Sequence, residues 1–240
     1  MSWLSQQRYE AEFKAETAAF AEAVARQDLG ATVPTCPEWT FHDMIVHVGS
    51  GHRWATELIA SGAQTPAPIN RVEPPADWAQ WLVLGARLLT EAVRWRGFDQ
   101  RVWTWQPTAP TAGFWLRRML HDEIVHRLDA DPAGDLVADL AADGVADLLA
   151  TIATLSRLTG HPLGMRLRGD GETLQFRATD GAGAWHATLT PAGVDWQAGE
   201  APADETIEAP ARELLLLLNR RVPPADPGPL FTRWLAATRF

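Results

Sequence analysis

Phe114-Trp-Leu-Arg-Arg-Met-Leu-His-Asp-Glu-Ile-Val-His-Arg-Leu-Asp129 is the stretch on which the reading of the fold turns. Trp115, Met119, Asp122 and His126 fall at steps of four, three and four, which is one stripe of an α-helix. The upper half of the stripe is apolar; the lower half is a carboxylate and an imidazole. A bundle helix that presents Asp and His where Leu is expected must satisfy them through partners or a metal. Side chains at i and i+4 can reach one ion, and helical sites pairing a carboxylate with histidine use this spacing. A core Asp–His hydrogen bond would fill the same positions without metal. His121 lies on another face with Phe114 and Val125 and reads as packing. Glu123 and Arg127, at i and i+4, read as a solvated salt link.

Working outward, helical periodicity recurs before and after this segment. Residues 4–28 form an amphipathic pattern with Phe13, Thr17, Phe20 and Val24 in step and Gly30 as a stop. A turn-rich stretch, Val33-Pro-Thr-Cys-Pro-Glu-Trp39, leads to Thr40, which with Asp43 makes a T-x-x-D start signal. The helix it opens carries Phe41, Met44, Ile45, Val48, Ala55 and Ile59 on one stripe and ends near Ser61-Gly62. A Pro-rich loop, 65–75, precedes a third helix over 77–96. The segment 97–113 is irregular, the quoted helix runs over 114–128, and Asp131-Pro132 ends it. A fifth helix covers 139–158, packed alongside the other four or bridging onward. Four long helices with irregular connections predict a bundle.

Beyond Gly160-His-Pro162 the period changes. Met165 and Leu167, then Leu174 and Phe176 after Asp170-Gly171, alternate like a β-hairpin on a D-G turn. Trp185, Ala187 and Leu189 alternate again, 205–208 reads as a short strand, and a helix containing Leu214–Leu218 starts near Pro210. The predicted organisation is mainly α, α+β overall: a helical bundle over 1–160 and a small α+β domain over 161–240.

Composition narrows the function. With 21 basic and 30 acidic residues the net charge is −9, which gives no footprint for nucleic acid or an anionic membrane. The opening residues lack the basic start and apolar run of a secretory signal, and the apolar run Leu214–Leu218 is far too short to span a bilayer. The one cysteine, Cys36, allows no internal disulfide, fits a reducing cytoplasm and reads as a loop residue. The twelve tryptophans read mostly as packing. A metal site built on Asp122 and His126 needs a third ligand, and the second helix offers His42, His47 and His52. Periodicity favours His52, at the centre of the apolar stripe, over His47 on its flank; the pattern alone does not choose.

At these residues the chain resembles the mycothiol-dependent maleylpyruvate isomerase family, whose N-terminal domain belongs with the DinB-like four-helix bundles. The matching stretches are VPTCPEWTFHDMIVHVGSGHRWA at 33–55 and VWTWQPTAPTAGFWLRRMLHDEIVHRLDA at 102–130, and, more weakly, ADETIEAPARELLLLLNRRVPP at 203–224. The resemblance implies a DinB-like bundle followed by a small α+β domain, and a divalent metal, usually zinc, held by a histidine of the second helix and a glutamate-x-x-x-histidine pair of the fourth. Carried over, the metal ligands are His47, Asp122 and His126, so the resemblance picks His47 over His52. Asp122 stands where glutamate is usual, which brings the metal closer to the helix axis. An arginine of the C-terminal domain is also implied at the site, as Arg220 or Arg221, while Asn219 stands where an aromatic residue is expected.

Two histidines and a carboxylate leave a tetrahedral metal one open position, where a thiol would lose its proton. The metal-bound thiolate then adds to an electrophilic substrate. Rotation and loss of the thiol give isomerisation; retention gives thiol transfer. Arginine would hold a substrate carboxylate bidentately. The expected protein is a cytoplasmic isomerase or transferase, a monomer or homodimer, whose partners are mycothiol and a small electrophile. The rival expectation is a non-enzymatic metal- or ligand-binding module, favoured by a fourth protein ligand such as His52 or His121. The irregular segment 102–113 and the C-terminal unit are expected to wall the mouth of the pocket.

Overall fold

The computed structural model describes residues 3–238, and its chain divides into two compact units, Leu4–Gly134 and a second from Asp135 onward. In the first, α1 (Gln6–Ala25) starts where the Ser5 side chain accepts the Arg8 N–H, and buries Tyr9, Phe13, Phe20 and Val24. The helix stops at Ala25, so Gly30 is not its cap. Asp28 takes up the Gly30 N–H in a following turn. The turn-rich stretch closes into a small antiparallel hairpin of β1 (Thr32–Val33) and β2 (Cys36–Thr40), which puts Cys36 on a strand rather than in a loop.

α2 (Phe41–Ser61) begins with the full capping box read from Thr40 and Asp43 and ends at Gly62, whose φ of 67° is the left-handed cap. α3 (Trp78–Arg96) and α4 (Ala112–Ala130) complete the bundle. α2 packs along α3, and a Cβ on Gly49 would sit 1.8 Å from the Trp81 ring, so only glycine permits that approach. α4 lies against α1, α2 and α3 and buries nearly every side chain, charged ones included. This overturns the solvated reading of Glu123 and Arg127. Both are interior, at 0% and 4% exposed, and each finds its partner on another helix, Glu123 on Thr17 and Arg127 on Glu16.

In the second unit α5 (Ala138–Ser156) is followed by α6 (Pro162–Arg166), β3 (Thr173–Ala178), β4 (Ala184–Thr190), β5 (Gly193–Ala198), β6 (Glu205–Ala209), α7 (Ala211–Leu218) and α8 (Pro229–Ala237). The sheet order is β5-β4-β3-β6, antiparallel except for the parallel β3–β6 pair. The sequence boundary at 160 differs from this division at 134/135. α5 packs on α6, α7 and β5, and the Ser156 hydroxyl receives the Val194 N–H. Met165 and Leu167 are not strand residues. Pro162 starts a short helix that leaves Met165 70% exposed, and the hairpin is β3–β4 instead. Leu214–Leu218 are buried on α7, and Trp234 of α8 packs on Phe176 at 5.7 Å. No helix among the described residues is long and apolar enough to cross a membrane.

Candidate metal centre

The capped start of α2 places His47 on the second turn, and the i, i+4 spacing on α4 places Asp122 and His126 on one stripe. The two helices bring the three together. His47 Nε2 is 2.9 Å from Asp122 Oδ2, His126 Nε2 is 3.9 Å from the same oxygen, and one donor atom from each residue lies within 4.8 Å of the others. Arg118, one turn before Asp122, reaches its other oxygen, Oδ1, at 3.3 Å. The Trp39 ring packs on both imidazoles, with centroids 4.8 Å from His47 and 5.5 Å from His126.

The electrostatics follow from these contacts. Burial pulls the His47 imidazole down, but the Asp122 charge and hydrogen bond outweigh it and leave its pKa raised. Burial would lift the Asp122 carboxyl, yet the charges of His47, His126 and Arg118 hold it well below the usual carboxylate range. Metal–ligand bonds of about 2 Å imply donor separations of roughly 3–3.5 Å. The 2.9 and 3.9 Å around Asp122 Oδ2 lie on either side of that span and all three donors fall within 4.8 Å, so a small inward shift of the side chains would let them hold a divalent ion. Arg118 on Oδ1 leaves Oδ2 facing the two imidazoles.

The other sequence candidates lie elsewhere. His52, favoured by periodicity, is 1% exposed in the bundle core, edge-on to Phe13 at 5.0 Å and 3.5 Å from Glu123. His42 faces Glu73 at 3.6 Å, and His121 is buried, as packing predicts. Arg220 follows α7 with a left-handed φ of 62°, and the Arg221 guanidinium donates to the Asn219 carbonyl at 3.0 Å. A cleft of about 370 Å³ opens beside His47, between Glu38, Trp39, Asp43, Val46 and Ser50 on one side and Ile69 and Arg71 on the other. The segment 102–113 contributes nothing to it. Its Trp103 and Trp105 pack instead on Trp115, at 5.8 and 4.8 Å. Trp39, Arg118 and Asp129 touch the three candidate donors, Asp129 at 3.0 Å from His126 Nδ1, and the sequence reading passed over them. Asp129 had a signal, standing three residues after a ligand-type histidine on the same helix, close enough to reach the ring's other nitrogen.

The fold defines a class, a four-helix bundle joined to a small α+β unit. Residues 11–131 match the family model described as the mycothiol maleylpyruvate isomerase N-terminal domain, and the chain belongs to that family. No curated protein shows significant similarity. Among solved structures, the chain is similar to a crystal structure of the mycothiol-dependent maleylpyruvate isomerase, with TM-score 0.59, 15% identity and 90% of each chain covered. A histidine-to-alanine mutant of an enzyme with the same name matches at TM-score 0.60 and 14% identity, again over 90% of each chain. At such identities the likeness establishes the fold.

Proposed function

We propose that the chain is a metal-dependent enzyme that uses mycothiol, or a closely similar small thiol, on an electrophilic small molecule. The reaction is isomerisation, as in the relatives named for maleylpyruvate, or transfer of the thiol. The observation that carries this reading is the convergence of His47, Asp122 and His126, a group of three donors among the described residues. A divalent metal bound there, zinc by expectation, would lower the pKa of a thiol entering its open position. The protein's own part is to supply two neutral imidazoles and one carboxylate oxygen, with Arg118 steadying Asp122 through Oδ1. Trp39 covers one side of both imidazoles and limits water there. The cleft beside His47 offers room and hydrogen-bonding groups for the non-reacting part of a ligand.

Arg220 or Arg221 holding a substrate carboxylate is part of the same proposal and rests on the family resemblance. Replacing each by Gln should raise KM for a carboxylate substrate with little change in kcat, and an unchanged KM in both variants removes the role. A cytoplasmic location and a monomeric or homodimeric state belong to the proposal too. The deciding experiment is metal analysis of the purified protein, followed by thiol consumption against a panel of electrophiles. Stoichiometric metal with thiol turnover is the expected result. Bound metal without turnover of any electrophile would instead favour the non-enzymatic module.

A further inference from the structure

Below His126 on α4 stands a buried carboxylate that the mechanism above does not use. Asp129 is 3% exposed, and its Oδ2 lies 3.0 Å from His126 Nδ1. Its other oxygen, Oδ1, accepts the Thr35 hydroxyl at 2.5 Å. The Cys36 thiol faces Oδ2 at 3.9 Å. Thr35 and Cys36 belong to the tip of the β1–β2 hairpin, so a loop distant in sequence is anchored on this one carboxylate. A carboxylate only accepts hydrogen bonds, so the nitrogen facing it must carry the proton. The Nδ1–H tautomer of His126 leaves the Nε2 lone pair free, on the side of Asp122.

We propose that Asp129, held by Thr35 and Cys36, is the positioning residue of His126: it fixes the Nδ1–H tautomer and the ring orientation so that Nε2 faces the ion. The inference rests on the metal reading above for its purpose, but its geometry stands without metal. Without an acceptor at Nδ1, the Asp122 carboxylate 3.9 Å from Nε2 would draw the proton to that side, and part of the population would present N–H where a lone pair is needed. The hairpin thereby becomes a support for the bundle site. Trp39, on the same hairpin's second strand, completes it by packing on the His126 ring.

The test uses the full chain and two readouts. In metal-free protein at alkaline pH, where imidazole is neutral, long-range nitrogen–proton NMR should show His126 protonated on Nδ1. In Asp129→Asn the signal should shift toward the Nε2–H form or a mixture. Titration with Co(II) or Zn(II) should show affinity lower on the order of 10- to 100-fold in Asp129→Asn, with a smaller loss in Thr35→Val, which keeps the carboxylate but frees it. A purely structural Asp129 would lower the unfolding midpoint and leave tautomer and affinity untouched, and that outcome overturns the proposal. Should Asp129→Asn not fold, the wild-type spectrum decides, because an Nε2–H His126 in the metal-free protein overturns it equally. A protein that shows the Nδ1–H tautomer, lost in the variant, yet binds neither metal, refutes the metal reading and leaves the positioning contact standing.

Discussion

α2 presents two histidines to α4, and each meets one of two acidic residues adjacent in sequence. His47 Nε2 lies 2.9 Å from Asp122 Oδ2, and His52 Nε2 lies 3.5 Å from Glu123 Oε2. The chemical partners are alike and the surroundings are opposite. The side chains of His47 and Asp122 are 43% and 31% exposed, and the His126 imidazole joins them. Those of His52 and Glu123 are 1% and 0% exposed, with Phe13 edge-on to the ring and the Thr17 hydroxyl donating to the carboxylate. Each residue turns a helix by about 100°, so positions 122 and 123 leave α4 in different directions. One direction reaches a cleft and a third donor; the other reaches the bundle core. An acid–imidazole pair therefore becomes a candidate ion site through its third donor and its access, not through the pair itself.

The strongest way to break this comparison is to remove the shared oxygen. Asp122→Ala takes away one of three donors, and metal affinity should fall by more than the roughly 10- to 100-fold expected of a positioning residue, with thiol-dependent activity lost in parallel. Asp122→Glu restores the longer arm usual in the family and should keep the metal. Metal content measured on both proteins decides the matter; full occupancy in Asp122→Ala ends the ligand assignment.

The buried pair should respond in the opposite currency. Glu123→Ala removes the buried carboxylate that faces the His52 ring and accepts the Thr17 hydroxyl, at a cost of about 1–3 kcal/mol in unfolding free energy, while metal affinity stays within a few-fold. Denaturant unfolding and metal titration of the one variant test both halves, and a loss of metal without a loss of stability would reverse the roles assigned to the two pairs. Gly49, between the two histidines on α2, gives a smaller and shared effect. Gly49→Ala pushes a methyl into the Trp81 ring, 1.8 Å away. Overpacking of about 1–3 kcal/mol is partly offset by alanine's helix preference of roughly 0.5–1 kcal/mol, for a net loss near 1 kcal/mol. A Gly49→Ala protein as stable as the wild type would show that Trp81 yields freely.

The same contrast explains what the sequence made legible. Helical period and caps located α1–α5 because each buries a stripe and most carry start or stop residues, Thr40 with Asp43 being the clearest. Asp122 and His126 were readable because a polar pair interrupts an apolar stripe. His52 misled for the same reason. The centre of a stripe is the core, where His52 packs, whereas His47 on the flank meets Asp122 and His126. Glu123 and Arg127 misled because i, i+4 charge pairs are usually solvated, and nothing local reveals that α4 is surrounded. The second unit was harder, since β5 pairs with β4 through backbone groups that no side-chain pattern displays, and α8 is announced only by Pro229 at its first turn. α5 joins that unit through contacts with α7 and β5 that lie far ahead in sequence.

The smallest expected effect separates the open pair from the rest of the fold by pH. His47 has an ordinary value of 6.5 and is raised by Asp122, so its protonated form is favoured in the folded, metal-free protein. That contribution is complete below 6.5 and is lost as pH rises through the raised value. Asp122 is lowered from 3.8, so its contribution is present above 3.8 and fades only as pH falls toward the lowered value. Because the His47 side chain is 43% exposed, solvent screening keeps the change below about 1 kcal/mol. Metal binding runs the other way, since an ion needs neutral imidazole and competes with its proton. Raising pH through the His47 value should therefore strengthen metal affinity while slightly lowering the unfolding midpoint of the metal-free protein. In Asp122→Asn the stability step should vanish, because the charge that raises His47 is gone. Unfolding midpoints and metal titrations over the same pH series read both trends. A stability step that survives in Asp122→Asn would assign it to another group and detach it from this pair.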